Sequence, residues 1–310
     1  MGRATTSAAT RAYRFAWAIV WYTVIIIAWG AWVRISHSGD GCGDHWPLCN
    51  GEAVPLDGPV KTWIEVSHRY STALYGVLVG AMIGIALKVF GRSHPAFRWS
   101  LAVFVFTVLE ALIGRQLVTM RLVDQSTDLA RLIVMPLHLL NTSLLLLSTV
   151  FAAESFRFGF SERRALSPEL RRLLSIAIIV LLMLLLTGAI AALGSHLAPS
   201  TSLESGLAHD LSSDSHLAVR LRLLHPLGAL AFAVLVPLFF SRLAARAPSP
   251  LARAWFVRLR AATYVAIVVG ITTLSFLAPP WLKLTHLFLA NVLVILLSLA
   301  LFHTLQRTEV

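Results

Sequence analysis

Residues 63–87 read WIEVSHRYSTALYGVLVGAMIGIAL, an apolar run that opens on an acid, Glu65, and a histidine, His68. On a helix this spacing puts both side chains on one face, about 4.5 Å apart along the axis, at the mouth of the segment. From Ser67 to Leu87 the run supplies the roughly 20 apolar residues that a hydrocarbon layer requires. Seven other stretches do the same: Phe15 to Val33, Trp99 to Leu117, Leu132 to Ala153, Leu173 to Leu193, Leu217 to Phe240, Ala261 to Ala278 and Trp281 to Leu301. The composition agrees, with 57% hydrophobic and 13% charged residues among 310, against about 25% charged in soluble domains. Open sheet edges find no partner in lipid, and these runs are too continuous for a barrel. The expected fold is therefore all-α: a polytopic membrane protein of eight transmembrane helices.

A formal net charge of +11 raises the question of a nucleic-acid partner, and the placement of the charges answers it. Lys and Arg concentrate before the first apolar segment and in the second, fourth and sixth connections. That is the positive-inside pattern of a multi-pass protein in the cell (plasma) membrane with cytoplasmic N- and C-termini, so the partner of the charge is the lipid bilayer and not nucleic acid. Arg3, Arg11 and Arg14 precede the first segment as in a signal peptide, yet it ends in Trp32, Val33 and Arg34 with no small-residue cleavage site. It reads as a retained helix.

The charged stretch from Glu154 to Arg172 divides the segments four and four, and the halves resemble each other. Gly30 answers to Gly188, His68 to His225, and His138 to His286, with a drift that the shorter connection at Pro279 and Pro280 explains. Four helices per half bring both halves into the membrane from one side, as two parallel-repeat four-helix bundles. The expected domains are residues 1–156 and 157–310.

Each even-numbered segment thus carries a histidine near its outer end: His68, His138, His225 and His286. Histidines at membrane depth mark functional sites, and two facing imidazoles between apolar helices suit a haem iron with two axial ligands. Zinc would need a compact four-donor cluster. Glu65 with His68 also resembles half of a carboxylate-bridged di-iron motif, which needs a second Glu-x-x-His that the membrane segments lack. Glu110 reads equally as a partnered packing acid or as an ion-pair or proton-path residue. Gly76, Gly80 and Gly84 on the second segment permit close approach of a helix or a flat ring. Arg34, Arg69 and Arg115 stand at the outer boundary, suited to haem propionates or to snorkelling. The two cysteines, Cys42 and Cys49, share the first outer loop, where an oxidising exterior permits a disulfide of structural or redox use.

The runs Gly30 to Gly39 (GAWVRISHSG), Trp46 to Cys49 (WPLC) and Trp63 to Arg69 (WIEVSHR) resemble the haem A synthase family. The resemblance implies oxidation of the C8 methyl of haem O to a formyl group, giving haem A for terminal oxidases. It further implies that His68 and His138 flank substrate haem O, that His225 and His286 ligate a haem b cofactor, and that Glu65 is the catalytic acid. Haem O synthase and an unidentified electron donor or acceptor are the partners it suggests. Two departures stand out: Gly194 to Ser215 lacks the second cysteine pair of some relatives, and Gly43, Asp44 and His45 precede Trp46 where many relatives differ. The alternative function is a di-haem b-type membrane electron-transfer protein. A transporter, which would hold no haem, is a third reading.

Overall fold

The structure, a computed structural model, describes residues 6–158 and 164–306. Arg3 and the chain ends, on which the orientation expectation partly rests, lie outside the described residues. The elements are α1 (Thr6–Ile35), α2 (Val60–Phe90), α3 (Pro95–Thr119), α4 (Arg131–Phe158), α5 (Pro168–Leu197), α6 (Leu203–Leu211), α7 (Leu217–Leu221), α8 (Leu224–Ala245), α9 (Pro250–Ser275) and α10 (Pro280–Leu305). Among the described residues there is no strand, only an isolated bridge between Cys49 and Glu52. Eight spans are long and apolar enough to cross a membrane, with α7 and the start of α8 sharing the sixth. Their start signals are local. Ser167 and Ser249 accept from the backbone N–H groups of Leu170 and Ala252, and Pro168 and Pro250 occupy first helical positions where a missing N–H costs nothing.

Two expectations need correction. The second segment starts at Val60 and not Ser67, because Pro59 ends the preceding loop and the polar side chains of the first turns find partners there. His68 therefore lies about two turns into its helix, as do His138 and His286 in theirs. The sixth segment is not one helix: it is broken at Arg222 and Leu223. Pro226 has no N–H to offer the Arg222 carbonyl, so the ladder is interrupted there and the His225 N–H donates to it at a long 3.4 Å instead.

Helices α1, α2, α3 and α4 pack in a ring, each on the next, which puts α2 and α4 on a diagonal. Helix α8 packs on α5 and α9, and α9 on α10. The two groups meet where α4 packs on α10 and α5 and where α1 touches α10. Helices α4 and α10 contribute to both apolar cores, with Phe151 and Phe302 meeting edge to face at 5.3 Å. The outward faces stay apolar, as Leu227, Leu230 and Val234 of α8 show. Lipid supplies their solvent.

A matched polar cluster is buried at this junction. At the ends of α4 and α10 opposite the cysteine loop, Glu154 is 3% exposed and His303 1% exposed. Glu154 Oε1 accepts from Trp17 Nε1 (3.1 Å) and the Tyr13 hydroxyl (3.3 Å), and its Oε2 lies 3.0 Å from His303 Nε2. Removing one member of such a cluster strands the rest, at about 3–5 kcal/mol for a buried pair. Glu154→Ala is expected to lower the thermal unfolding temperature of the detergent-solubilised protein, with Glu154→Gln recovering part of the loss. An unchanged transition for Glu154→Ala would contradict this.

Candidate functional site

All four histidines lie near the end of the molecule that carries the cysteine loop, and each is half-buried. His225 and His286 face each other with ring centres 6.1 Å apart and planes at 70°. An ion bound by one nitrogen of each imidazole at about 2.0 Å needs roughly 6 Å between ring centres. The spacing fits one iron. His225 Nδ1 lies 3.1 Å from the Leu184 carbonyl; donation there leaves Nε2 as the free ligand atom. The Nδ1 atoms of His68, His138 and His286 are buried and make no hydrogen bond among the described residues. Imidazoles so placed are incomplete without a further partner.

What holds these rings in place is a glycine on the odd-numbered span before each one. A Cβ built on Gly30 would stand 3.0 Å from His68 Cε1, on Gly188 3.2 Å from His225 Cε1, and on Gly270 3.0 Å from His286 Cε1. Gly114 backs His138 more loosely, at 3.8 Å. A side chain at any of the three tight positions would force the adjacent imidazole to shift.

Glu65 is 4% exposed and its carboxylate turns up to the loop. It accepts from the Cys42 N–H at 2.8 Å and from Arg69 Nη2 at 2.5 Å. Arg69 Nη1 in turn donates to the carbonyls of His45 (2.8 Å) and Leu48 (2.7 Å). Cys42 and Cys49 are joined in a disulfide that closes this loop. The acid is thereby fixed by two donors, one in the bridged loop and one anchored to it. Outside the spans, the Arg121 guanidinium, 2.7 Å from Asp44, holds that carboxyl below the usual carboxylate range and ties the loop to the connection between α3 and α4.

Residues 13–298 match the COX15-CtaA family, described as cytochrome oxidase assembly protein. The chain belongs to this family. It is 34% identical over 303 residues to a protein of Thermus thermophilus named protoheme IX farnesyltransferase, a match that covers 97% of this chain and 50% of that one. A protein of Exiguobacterium sibiricum named heme A synthase is 32% identical over 173 residues, 56% of either chain. One of Bacillus cereus with the same name is 38% identical over 91 residues, 29% of either chain. The chain thus spans about half the length of the Thermus relative.

In this COX15-CtaA protein the arginines divide. Arg69 has its donors committed to Glu65 and the loop, whereas Arg34, half-buried, and Arg115, exposed, make no side-chain hydrogen bond or ion pair among the described residues. The second loop at this end has no cysteines, and Arg222 does the equivalent work. It pairs with Asp210 and donates to the carbonyls of Ala198 and Gly206, each at 2.9 Å. That arrangement requires the break before α8, and the sequence signal was Pro226. A further cluster, His37, Asp124 and His196, brings ligand atoms within 4.8 Å of one another. Its imidazoles are stacked at 4.3 Å and 24°, so their in-plane lone pairs run nearly parallel and cannot meet on one ion. With His196 Nε2 3.0 Å from the Asp124 carbonyl, it clasps α5 to the connection between α3 and α4.

The glycines give a graded test. Gly30→Ala, Gly188→Ala and Gly270→Ala are each expected to lower the haem content of the purified protein roughly tenfold, the scale at which outer-shell changes weaken metal sites. Gly114→Ala should leave it within about twofold, since its Cβ meets only ordinary van der Waals contact. Equal tolerance at all four positions, read from pigment absorbance per protein, would contradict the packing account.

Proposed function

We propose that this chain is a haem A synthase of the plasma membrane, with its cysteine loop on the outer side and its termini in the cytoplasm. The first bundle, residues 1–156, takes haem O between His68 and His138. The second, residues 157–310, keeps haem b between His225 and His286. The observation that carries the reading is the asymmetry of the two pockets. The spacing of His225 and His286 suits a permanently ligated iron. A clamped carboxylate, Glu65, lies one turn from His68, and the segment before His225 has no acid.

Haem b, when bound, supplies a one-electron redox centre beside the substrate pocket. The chain's own residues do the rest. Converting the C8 methyl of haem O to a formyl group, by two hydroxylations and the loss of a water, consumes one water overall and releases four protons and four electrons, and a buried carboxylate is suited to accept protons from that carbon or to stabilise positive charge developing there. The Cys42 N–H and Arg69 keep Glu65 aimed without a mobile solvent shell. On this reading the disulfide acts structurally, closing a short ring that is worth about 2–3 kcal/mol of loop order. The electrons pass to an acceptor outside the chain. The Thermus relative, a longer protein named for farnesyl transfer to protohaem, supports a haem O synthase as the physical neighbour that hands over the substrate.

Glu65→Ala is expected to keep its haem complement while haem A formation falls by about 10²-fold or more, the usual scale for loss of an acid–base group. The measurement is chromatography of haems extracted from the purified protein. Wild-type extracts should contain haem O or haem A beside haem b. Haem b alone would favour a di-haem electron-transfer protein, and full haem A formation by Glu65→Ala would remove Glu65 from the reaction.

A further inference from the structure

Glu110, on α3, gathers the polar side chains of α4 that lie below His138. Its Oε2 accepts from Asn141 Nδ2 at 2.5 Å and its Oε1 from the Thr142 hydroxyl. Asn141 and Thr142 follow His138 on α4 by three and four residues, so all three share one helix face. The same Oε1 lies 3.5 Å from His138 Nδ1, an atom that is buried and has no hydrogen bond among the described residues. A swing of well under an ångström closes that gap, and such contacts tighten when a site fills.

The second bundle is built differently at this place. Gly114 and Gly270 occupy matching positions, each behind the imidazole of the following span. Four residues before Gly114 stands Glu110, and four before Gly270 stands Ala266. In the second pair, His225 Nδ1 lies 3.1 Å from the Leu184 carbonyl and 3.4 Å from the Thr187 hydroxyl, both neutral groups. One pocket therefore offers its iron ligand a carboxylate, and the other a neutral carbonyl. A carboxylate on Nδ1 fixes the ring's tautomer and raises its basicity more than a carbonyl does, and it stabilises the oxidised metal.

We propose that Glu110 is the positioning residue of the first pocket, its carboxylate receiving the Nδ1–H of His138, aiming Nε2 into the bundle and making that iron the more electron-rich of the two. The inference rests on the reading of His68 and His138 as a haem pocket. No bond is made or broken in it; the carboxylate sets ligand strength.

The test is a spectroelectrochemical redox titration of the full-length, haem-loaded protein. Wild type should show two components, and loss of one in His225→Ala assigns the other to the first pocket. In Glu110→Gln the first-pocket component should become easier to reduce, with about a tenfold rise in its reduced-to-oxidised ratio at fixed potential, about 59 mV for one electron. The second-pocket component should stay where it was. Thr142→Val keeps the charge and frees Oε1 for His138, so it should move the same component the opposite way, harder to reduce, and by less; should Glu110→Gln fail to accumulate, this variant carries the test alone. A first-pocket potential unmoved in either variant overturns the inference and leaves the haem pocket standing. A wild-type protein with a single component, abolished by His225→Ala, overturns the pocket and the inference together.

Discussion

An imidazole at hydrocarbon depth must have its nitrogens matched or it destabilises the helix that carries it. Four such rings set the design of this molecule. Three stand about two turns into their helices and His225 just past the break that opens α8, each is backed by a glycine of the preceding span, and three have an Nδ1 with no hydrogen bond among the described residues. The glycines let the rings sit back against a helix instead of filling the space between them. The 6.1 Å between His225 and His286 is the consequence, and it is what makes an iron-sized gap between apolar helices.

The rest of the polar chemistry serves to hold that end of the molecule still. Arg69 and Arg222 each gather a loop by binding its carbonyls, and each is neutralised by one carboxylate, Glu65 or Asp210. In the first loop the carboxylate belongs to the helix and faces the bridged cysteines. In the second it belongs to the loop itself. Similar clamps thus leave an acid beside only one histidine pair. Glu110 repeats that bias on α3, so both membrane-embedded carboxylates near the rings fall in the same bundle. The opposite end is tied by Glu154 and His303, and the cysteine-loop end by the stack of His37 on His196.

Much of this was legible in the sequence. The eight spans followed from runs of apolar residues, and the four histidines from their recurrence at the mouths of alternate spans. The start of α2 was missed because Lys61, Glu65 and Arg69 look too polar for a span; the partners of Glu65 and Arg69 lie in the loop, far along the chain. The break before α8 had a visible signal in Pro226, masked by the continuous hydropathy around it. Glu154 read as part of a charged linker, since nothing local shows that Tyr13, Trp17 and His303 converge on it. The orientation of Glu110 toward His138 depends on Asn141 and Thr142 from a neighbouring helix, a contact that no single-segment pattern carries.

The crossed planes of His225 and His286 allow the most direct check of whether the rings share an iron. Ferric haem between two imidazoles whose planes stand near 70° gives a highly anisotropic low-spin electron paramagnetic resonance signal, distinct from the rhombic signal of parallel rings. The account predicts that signal from the oxidised, haem-loaded protein and its loss when either histidine is replaced by alanine. A ferric spectrum without that highly anisotropic signal, or that same signal surviving either replacement, would contradict it.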